Sequence, residues 1–248
     1  MPSTITEKML SLAELKAELQ RHDAAYYREG KPSIPDCEYD ALKRAYEERA
    51  QVEHDVGDDR LQGFAKYRHL GPMLSLSNTY DEAEVAAFLA RATKALATEP
   101  SYTVEPKIDG LAISITYVRG ALKCAVTRGN KVEGDDVTRV LEATFGKLLA
   151  NLPVTGNTDA NELLEETIEL RGEVYMTFAE FSRINEAREQ AGLELYANPR
   201  NLASGTLKSL DLAEVGQRTL HLVHYSLGYT SGARPRAHST IHEIIKLW

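Results

Sequence analysis

The middle of the chain holds two apolar runs separated by only two residues. Leu111 to Val118 and Ala121 to Thr127 read as strands, and Arg119-Gly120 between them reads as a tight turn. That places a β-hairpin at the centre of whatever this sequence builds. Tyr102 to Val104 and Thr167 to Met176 read as further strands. Leu220 to Tyr229 mixes apolar and aromatic residues without a break, as a buried strand does. Helices alternate with these runs. Thr79-Tyr80-Asp81-Glu82 predicts a capping box opening a helix to about Lys94, and Thr177-Phe178-Ala179-Glu180 predicts another helix start.

The first sixty or so residues carry a different period. Ser11-Leu12-Ala13-Glu14 fits a capping box, Leu12, Leu15 and Leu19 follow at helical spacing, and Gly30 before Pro32 is a stop. A second helix is predicted from Asp36, with Tyr39, Leu42 and Tyr46 on one face. Val56-Gly57-Asp58-Asp59-Arg60 reads as a boundary. The expected fold class is therefore α+β: a small helical domain over residues 1–67, then a mixed α/β domain over 68–248.

Composition narrows the classes of function. With 43% hydrophobic and 27% charged residues, the 248-residue chain has enough apolar material for a core. It contains no apolar run long enough to span a membrane and no secretory-signal pattern at its start. Cys37 and Cys124 are too far apart in sequence for a metal-ligand spacing, so a soluble, cytoplasmic protein is expected, with a monomer as the default. The formal net charge of −8 argues against a protein that clamps a DNA duplex by itself, because phosphate contacts call for a basic surface. There is no phosphate-binding glycine loop of the GxxxxGK[ST] type and no CxxC pair. His221 and His224 share a strand but point to opposite faces, and no metal ligand is assigned.

One segment carries chemistry. In Val104-Glu105-Pro106-Lys107-Ile108-Asp109-Gly110-Leu111-Ala112, three ionisable side chains alternate, so a strand here projects Glu105, Lys107 and Asp109 to one face. The glycine that follows allows a turn or a close approach. A solvated strand face would show the same alternation. Ile108 and the run from Leu111 to Ile115, however, set the segment at the edge of a core, where a lysine among carboxylates suits nucleophilic work.

These residues resemble the KxDG motif of covalent nucleotidyltransferases, and the flanking blocks resemble bacterial NAD-dependent DNA ligases. Pro72-Met73-Leu74-Ser75-Leu76 is similar to the family's PMLSL segment. Thr127-Arg128-Gly129 with Gly134-Asp135-Asp136-Val137-Thr138 is similar to its TRGDGxxGEDVT loop. Leu170-Arg171-Gly172-Glu173-Val174 resembles its motif III, and Ala197-Asn198-Pro199-Arg200-Asn201 with Ala203-Ser204-Gly205 resembles its ANPRNAAAG block. At the N-terminus, Tyr26-Tyr27, Pro32, Ile34, Asp36 and Glu38-Tyr39-Asp40 resemble the domain that holds the nicotinamide end of NAD.

The resemblance implies roles and a fold, a helical domain followed by an ATP-grasp-like nucleotidyltransferase domain. Lys107 would attack the α-phosphate of NAD, releasing nicotinamide mononucleotide and leaving lysyl-AMP, the first step of sealing nicks in double-stranded DNA during replication and repair. A free lysine titrates near about 10.4, so its neutral form must be favoured locally. Glu105 would meet the adenine, Asp109 and Glu173 the ribose and a Mg2+ ion, and Arg128 the ribose. Ser75 and Leu76 would wall the adenosine pocket. Tyr26, Tyr27, Asp36, Tyr39 and Asp40 would hold nicotinamide mononucleotide, and Arg200 and Lys208 would face phosphate or DNA.

Departures from the family pattern accompany these matches. Lys208 replaces an arginine, and Asn130-Lys131-Val132-Glu133 replaces the loop's usual Asp-Gly start. The family's later blocks do not occur in these 248 residues: neither motif IV, nor motif V with its lysine, nor the OB-fold, zinc-binding, helix-hairpin-helix and BRCT parts. The nucleotidyltransferase domain is thus expected to be incomplete, with zinc confined to the absent part. A relative that binds NAD without ligase activity is the alternative expectation. A scaffold without either property, or a lysine serving pyridoxal phosphate, fits the retained residues less well.

Overall fold

The computed structural model describes residues 10–28, 32–52, 54 and 59–248, with backbone alone at Tyr27, Arg28 and Asp36. The expected stop at Gly30 and most of the expected boundary at 56–60 lie outside the described residues. Helix α1 (Leu12–Asp23) starts where the capping box places it, with Ser11 and Glu14 each satisfying the other's backbone N–H. It continues through a wider turn over Ala24–Arg28. Helix α2 (Asp36–Ala50) packs back on α1, and Leu15, Leu19, Leu42 and Tyr46 form a small core of their own.

Strand β1 (Lys66–Arg68) leads to helix α3 (Glu82–Leu96). The N-cap of α3 is Asp81, not Thr79. The Asp81 carboxylate accepts from the Glu84 N–H at 2.8 Å, and Glu84 reaches back to the Tyr80 N–H. Aspartate competes well for this position, so the box sits two residues later than the sequence suggests.

The hairpin forms as read. Strands β2 (Leu111–Val118) and β3 (Ala121–Thr127) meet across Arg119-Gly120, both in the left-handed region at φ 49° and 74°. Such a primed turn matches the twist of the strands, and glycine takes the second position without strain. Next come β4 (Glu133–Asp135), α4 (Thr138–Phe145), α5 (Thr158–Leu164) and β5 (Thr167–Tyr175). The chain finishes with α6 (Phe178–Gln190), α7 (Pro199–Leu207), α8 (Leu212–Val215), β6 (His221–Thr230) and α9 (His238–Ile245). The main sheet is antiparallel in the order β3-β2-β5-β6, and β1 pairs separately with β4. The α+β arrangement, with helices first, is the one the sequence predicts.

Register divides the sheet into two faces. Ile113, Ile115 and Tyr117 of β2 oppose Gly172, Leu170 and Ile168 of β5, and Leu227 of β6 continues that layer. This side is the core, closed by Leu141, Leu202, Leu207 and Ile244 from the helices. On the other side β5 shows Glu169, Arg171 and Glu173. Among the described residues, no helix is long and apolar enough to cross a membrane.

One expected strand does not form. Residues 101–109 lack regular secondary structure, and Val104 is 94% exposed. Proline at 106 has no N–H to give to a ladder, which removes the pairing a strand there would need.

Two stability predictions follow from this packing. Lys208 is buried, donating to the Asp59 carbonyl, and lies 3.4 Å from the Asp59 carboxylate and 3.9 Å from that of Asp135. The fully buried Asp135 also holds Lys66 and the Leu61 N–H. Lys208→Met, which leaves buried carboxylates short of a cation, lowers unfolding free energy by about 3–5 kcal/mol in urea titration.

His224 lies on the core face opposite Gly172, its buried Nε2 without a hydrogen-bond partner among the described residues. Burial pushes its pKa down to about 4. The unfolded chain, titrating near about 6.5, then binds a proton that the folded chain refuses. Stability from this group is complete above about pH 6.5 and is lost as pH falls through about 4. Urea titrations of wild type and His224→Leu across that window give a shallower pH slope in the variant, the difference amounting to about 3 kcal/mol.

Candidate active site

The segment that links α3 to β2 reaches the sheet at Gly110. A Cβ there would overlap the Val174 carbonyl of β5, so only glycine lets the backbone run this close. The Gly110 N–H donates to Glu173 Oε1 at 3.2 Å. Gly110 and Glu173, drawn from blocks far apart in the sequence, are thereby joined, with Lys107 and Asp109 just upstream.

Helix α7 supplies the next component. Asn198 caps it by accepting from the Asn201 N–H at 2.7 Å, and Pro199 takes the first turn, where its missing N–H costs nothing. Arg200 follows, donating to Asp109 Oδ1 at 2.6 Å, with its guanidinium carbon 5.4 Å from the centroid of the Tyr26 ring.

A cleft of about 300 Å³ opens here. Lys107, Asp109 and Arg200 line it together with Tyr26, Tyr39 and Asp40 from the helical region, and with His22, Ser33 and Ile34. The helical wall is held from behind by Asp23, which is buried. Its carboxylate accepts from the Tyr39 hydroxyl at 2.6 Å and lies 2.9 Å from His54 Nε2. His22 Nδ1 meets Ser33 Oγ at 2.7 Å, and burial lowers its pKa.

The electrostatics centre on Glu173. Burial raises its pKa, while Arg200, Lys107, the Gly110 N–H and Arg128 act in the opposite sense. The carboxyl of Glu173 is thus pulled both ways, by burial and by three cations. Nearby on β6, burial first and then Glu173 push Tyr225 up to about 12.

Six of the expected residues thus share the cleft: Tyr26, Tyr39, Asp40, Lys107, Asp109 and Arg200. Glu173 and Arg128 adjoin it through charge. Others lie elsewhere. Glu105 does not share a face with Lys107 and Asp109, because without strand geometry nothing enforces alternation; it meets His238 and His242 instead. Leu76 is 75% exposed, and Ser75 has a buried Oγ that no described residue partners. Lys208, expected to face phosphate or DNA, is buried against Asp59 and Asp135 as described above. The side chains of Tyr27 and Asp36 lie outside the described residues.

Sequence reasoning also missed His22, Asp23 and Ser33, whose pairings give no linear signal. It missed His238 and His242 too, although their H-x-x-x-H spacing on a helix was available.

The family model described as NAD-dependent DNA ligase adenylation domain matches residues 61–248, and that of the DNA ligase-like N-terminal NAD+-binding domain matches residues 5–54. The chain is 45% identical over 258 aligned residues to DNA ligase 1 of Opitutus terrae, covering 99% of this chain and 38% of that protein. It is 43% identical to DNA ligase 2 of the same organism, covering 98% of this chain and 35% of the relative. Against the DNA ligase of Rhodopseudomonas palustris identity is 38%, with coverages of 98% and 34%. The chain spans little more than a third of the length of these curated relatives. It belongs to the NAD-dependent DNA ligase family, matching that family's adenylation domain.

Proposed function

We propose that this chain carries out the adenylation step of an NAD-dependent DNA ligase, with Lys107 as the nucleophile. The observation that carries this reading is that Lys107 lines one cleft together with Tyr26, Tyr39 and Asp40. A nucleophile that must meet the α-phosphorus of a dinucleotide needs its reactive end within reach of the pocket holding the leaving half. Lys107 Nζ forms a bond to the α-phosphorus, the pyrophosphate P–O bond breaks, and nicotinamide mononucleotide leaves with the electron pair. The amine proton passes to solvent.

The remaining residues position the substrate. Tyr26 and Tyr39 offer aromatic faces to the cationic nicotinamide ring, and Asp40 accepts from ribose hydroxyls. Arg200, already beside Tyr26 and Asp109, meets phosphate oxygens. Glu173 and Arg128 serve the other ribose, and Glu105 reaches adenine once released from its histidine partners. Asp109 and Glu173 are the oxygen donors that suit Mg2+, and would hold that ion, which offsets phosphate charge when bound. Nicked duplex DNA is the substrate class that the ligase names of the relatives suggest for the later steps. The acidic balance of this chain fits DNA contacts made mainly elsewhere.

Intact-mass measurement after incubation with NAD and Mg2+ tests the assignment. An AMP-sized gain in wild type, absent from Lys107→Ala, is the expected result. No gain in a folded sample that still binds NAD selects the binding-only relative instead.

A second prediction isolates the electrostatics. Arg200 is the largest of the influences that oppose burial at Glu173. Arg200→Gln therefore raises the Glu173 pKa further, read by NMR titration of the glutamate side-chain carboxyls. An unchanged midpoint would separate Arg200 from this group.

A further inference from the structure

Helix α9 carries His238 and His242 one turn apart, so both rings leave the same face. Ile241 and Ile244 are buried and fasten the helix to the core beside β6. Glu105 arrives from the irregular 101–109 segment, and three ligand-type atoms meet at one point. Glu105 Oε1 is 3.0 Å from His238 Nε2 and 3.1 Å from His242 Nε2, and the two Nε2 atoms are 3.0 Å apart. The rings sit edge to face, with centroids 4.4 Å apart.

Hydrogen bonding alone does not account for this trio. The His242 Nε2 also lies 3.0 Å from the Tyr225 carbonyl oxygen, which makes four contacts around these atoms. The carboxylate and the carbonyl bring no proton, and each imidazole Nε2 carries at most one, whichever tautomer or charge state it adopts. At most two of the four contacts can hold a proton; the rest set lone pairs against lone pairs or N–H against N–H. A single cation at the centre of the three ligand atoms resolves the three contacts among them, and His242 gives up the Tyr225 carbonyl as its Nε2 turns to the ion.

We propose that Glu105, His238 and His242 form a binding site for a borderline first-row dication, with Zn2+ the natural occupant. Bonds of about 2.0–2.2 Å in a tetrahedral shell set ligand atoms about 3.3–3.6 Å apart, so the trio has roughly half an ångström or less to open. Two nitrogens and one oxygen suit Zn2+, Co2+ or Ni2+ and disfavour Mg2+, which demands oxygen. Side-chain exposures of 31%, 43% and 24% for Glu105, His238 and His242 leave room for ion entry and for water as the fourth ligand. The geometric case for the site rests on these three residues alone, although Glu105 is shared with the adenylation reading.

The test uses the untagged full chain, stripped of metal and titrated with Co2+ while visible absorption is followed. Tetrahedral cobalt bands that Zn2+ abolishes and Mg2+ leaves intact are expected. Glu105→Gln, His238→Ala and His242→Ala should each weaken Co2+ binding by roughly 100-fold or more, beyond the roughly 10–100-fold cost of losing a mere outer partner. Since His238 is the most exposed of the three, its variant retains the wild-type far-UV circular dichroism and serves as the folded control. Absence of cobalt bands in folded wild type overturns the proposal, as do bands of undiminished affinity in the His238→Ala variant.

Discussion

Strict alternation along β5 governs most of this structure. Ile168, Leu170 and Val174 turn to the core, while Glu169, Arg171 and Glu173 turn to the opposite face. Glu169 is 1% exposed, and a charge so buried is tolerable only when paired and fully hydrogen-bonded. Arg171 pairs with it at 2.9 Å, but the pair still has donors and acceptors to satisfy. The segment preceding α3 meets that need. Glu169 accepts from the Leu70 N–H, and Arg171 donates to the carbonyls of Gly71 and Pro72. A one-residue slip of β5 would send these charges into the core and the aliphatics out, so register here is held from both sides.

The consequences spread outward from that pair. Once residues 69–73 are drawn across the polar face, His69 and Met73 donate to the carbonyls of Val132 and Lys131, and β1 is delivered to β4. The buried group of Asp59, Asp135 and Lys208 forms beside it, with Lys66 reaching in from the surface, which is why a lysine expected at a phosphate becomes part of the interior. Glu173, the next charged position on β5, then reaches the Gly110 N–H and fixes where the lysine segment joins the sheet.

What could be read from the sequence was whatever local chemistry determines. The Ser11 cap, the Arg119-Gly120 turn and the apolar runs that became β2, β3, β5 and β6 are each specified within a few residues. Family resemblance added roles that no period reveals, and six of the residues it implies share the cleft. The misses have a common cause. Segment 101–109 was read by alternation alone, although Pro106 forbids part of a ladder; Lys208 was read by charge alone, although its burial is decided by Asp59, a residue 149 positions away. His22, Asp23 and Ser33 matter only through pairings that folding creates.

The same lack of backbone pairing in 101–109 explains how adjacent residues of one motif come to serve different partners. Lys107 and Asp109 are close to the anchor at Gly110, and Asp109 is held by Arg200 from the capped end of α7. Glu105 is further from that anchor, on the other side of Pro106, and its carboxylate goes to the nearest donors, the histidines of α9. Its partner is therefore chosen by a helix packed on β6, whereas that of Asp109 is chosen by a helix packed on β2 and β5. Any ligand that recruits Glu105 to the cleft must outcompete the α9 histidines for one carboxylate. A cation held between Glu105 and those histidines would make that exchange harder, which links the occupancy of the metal trio directly to the adenine end of the proposed nucleotide site.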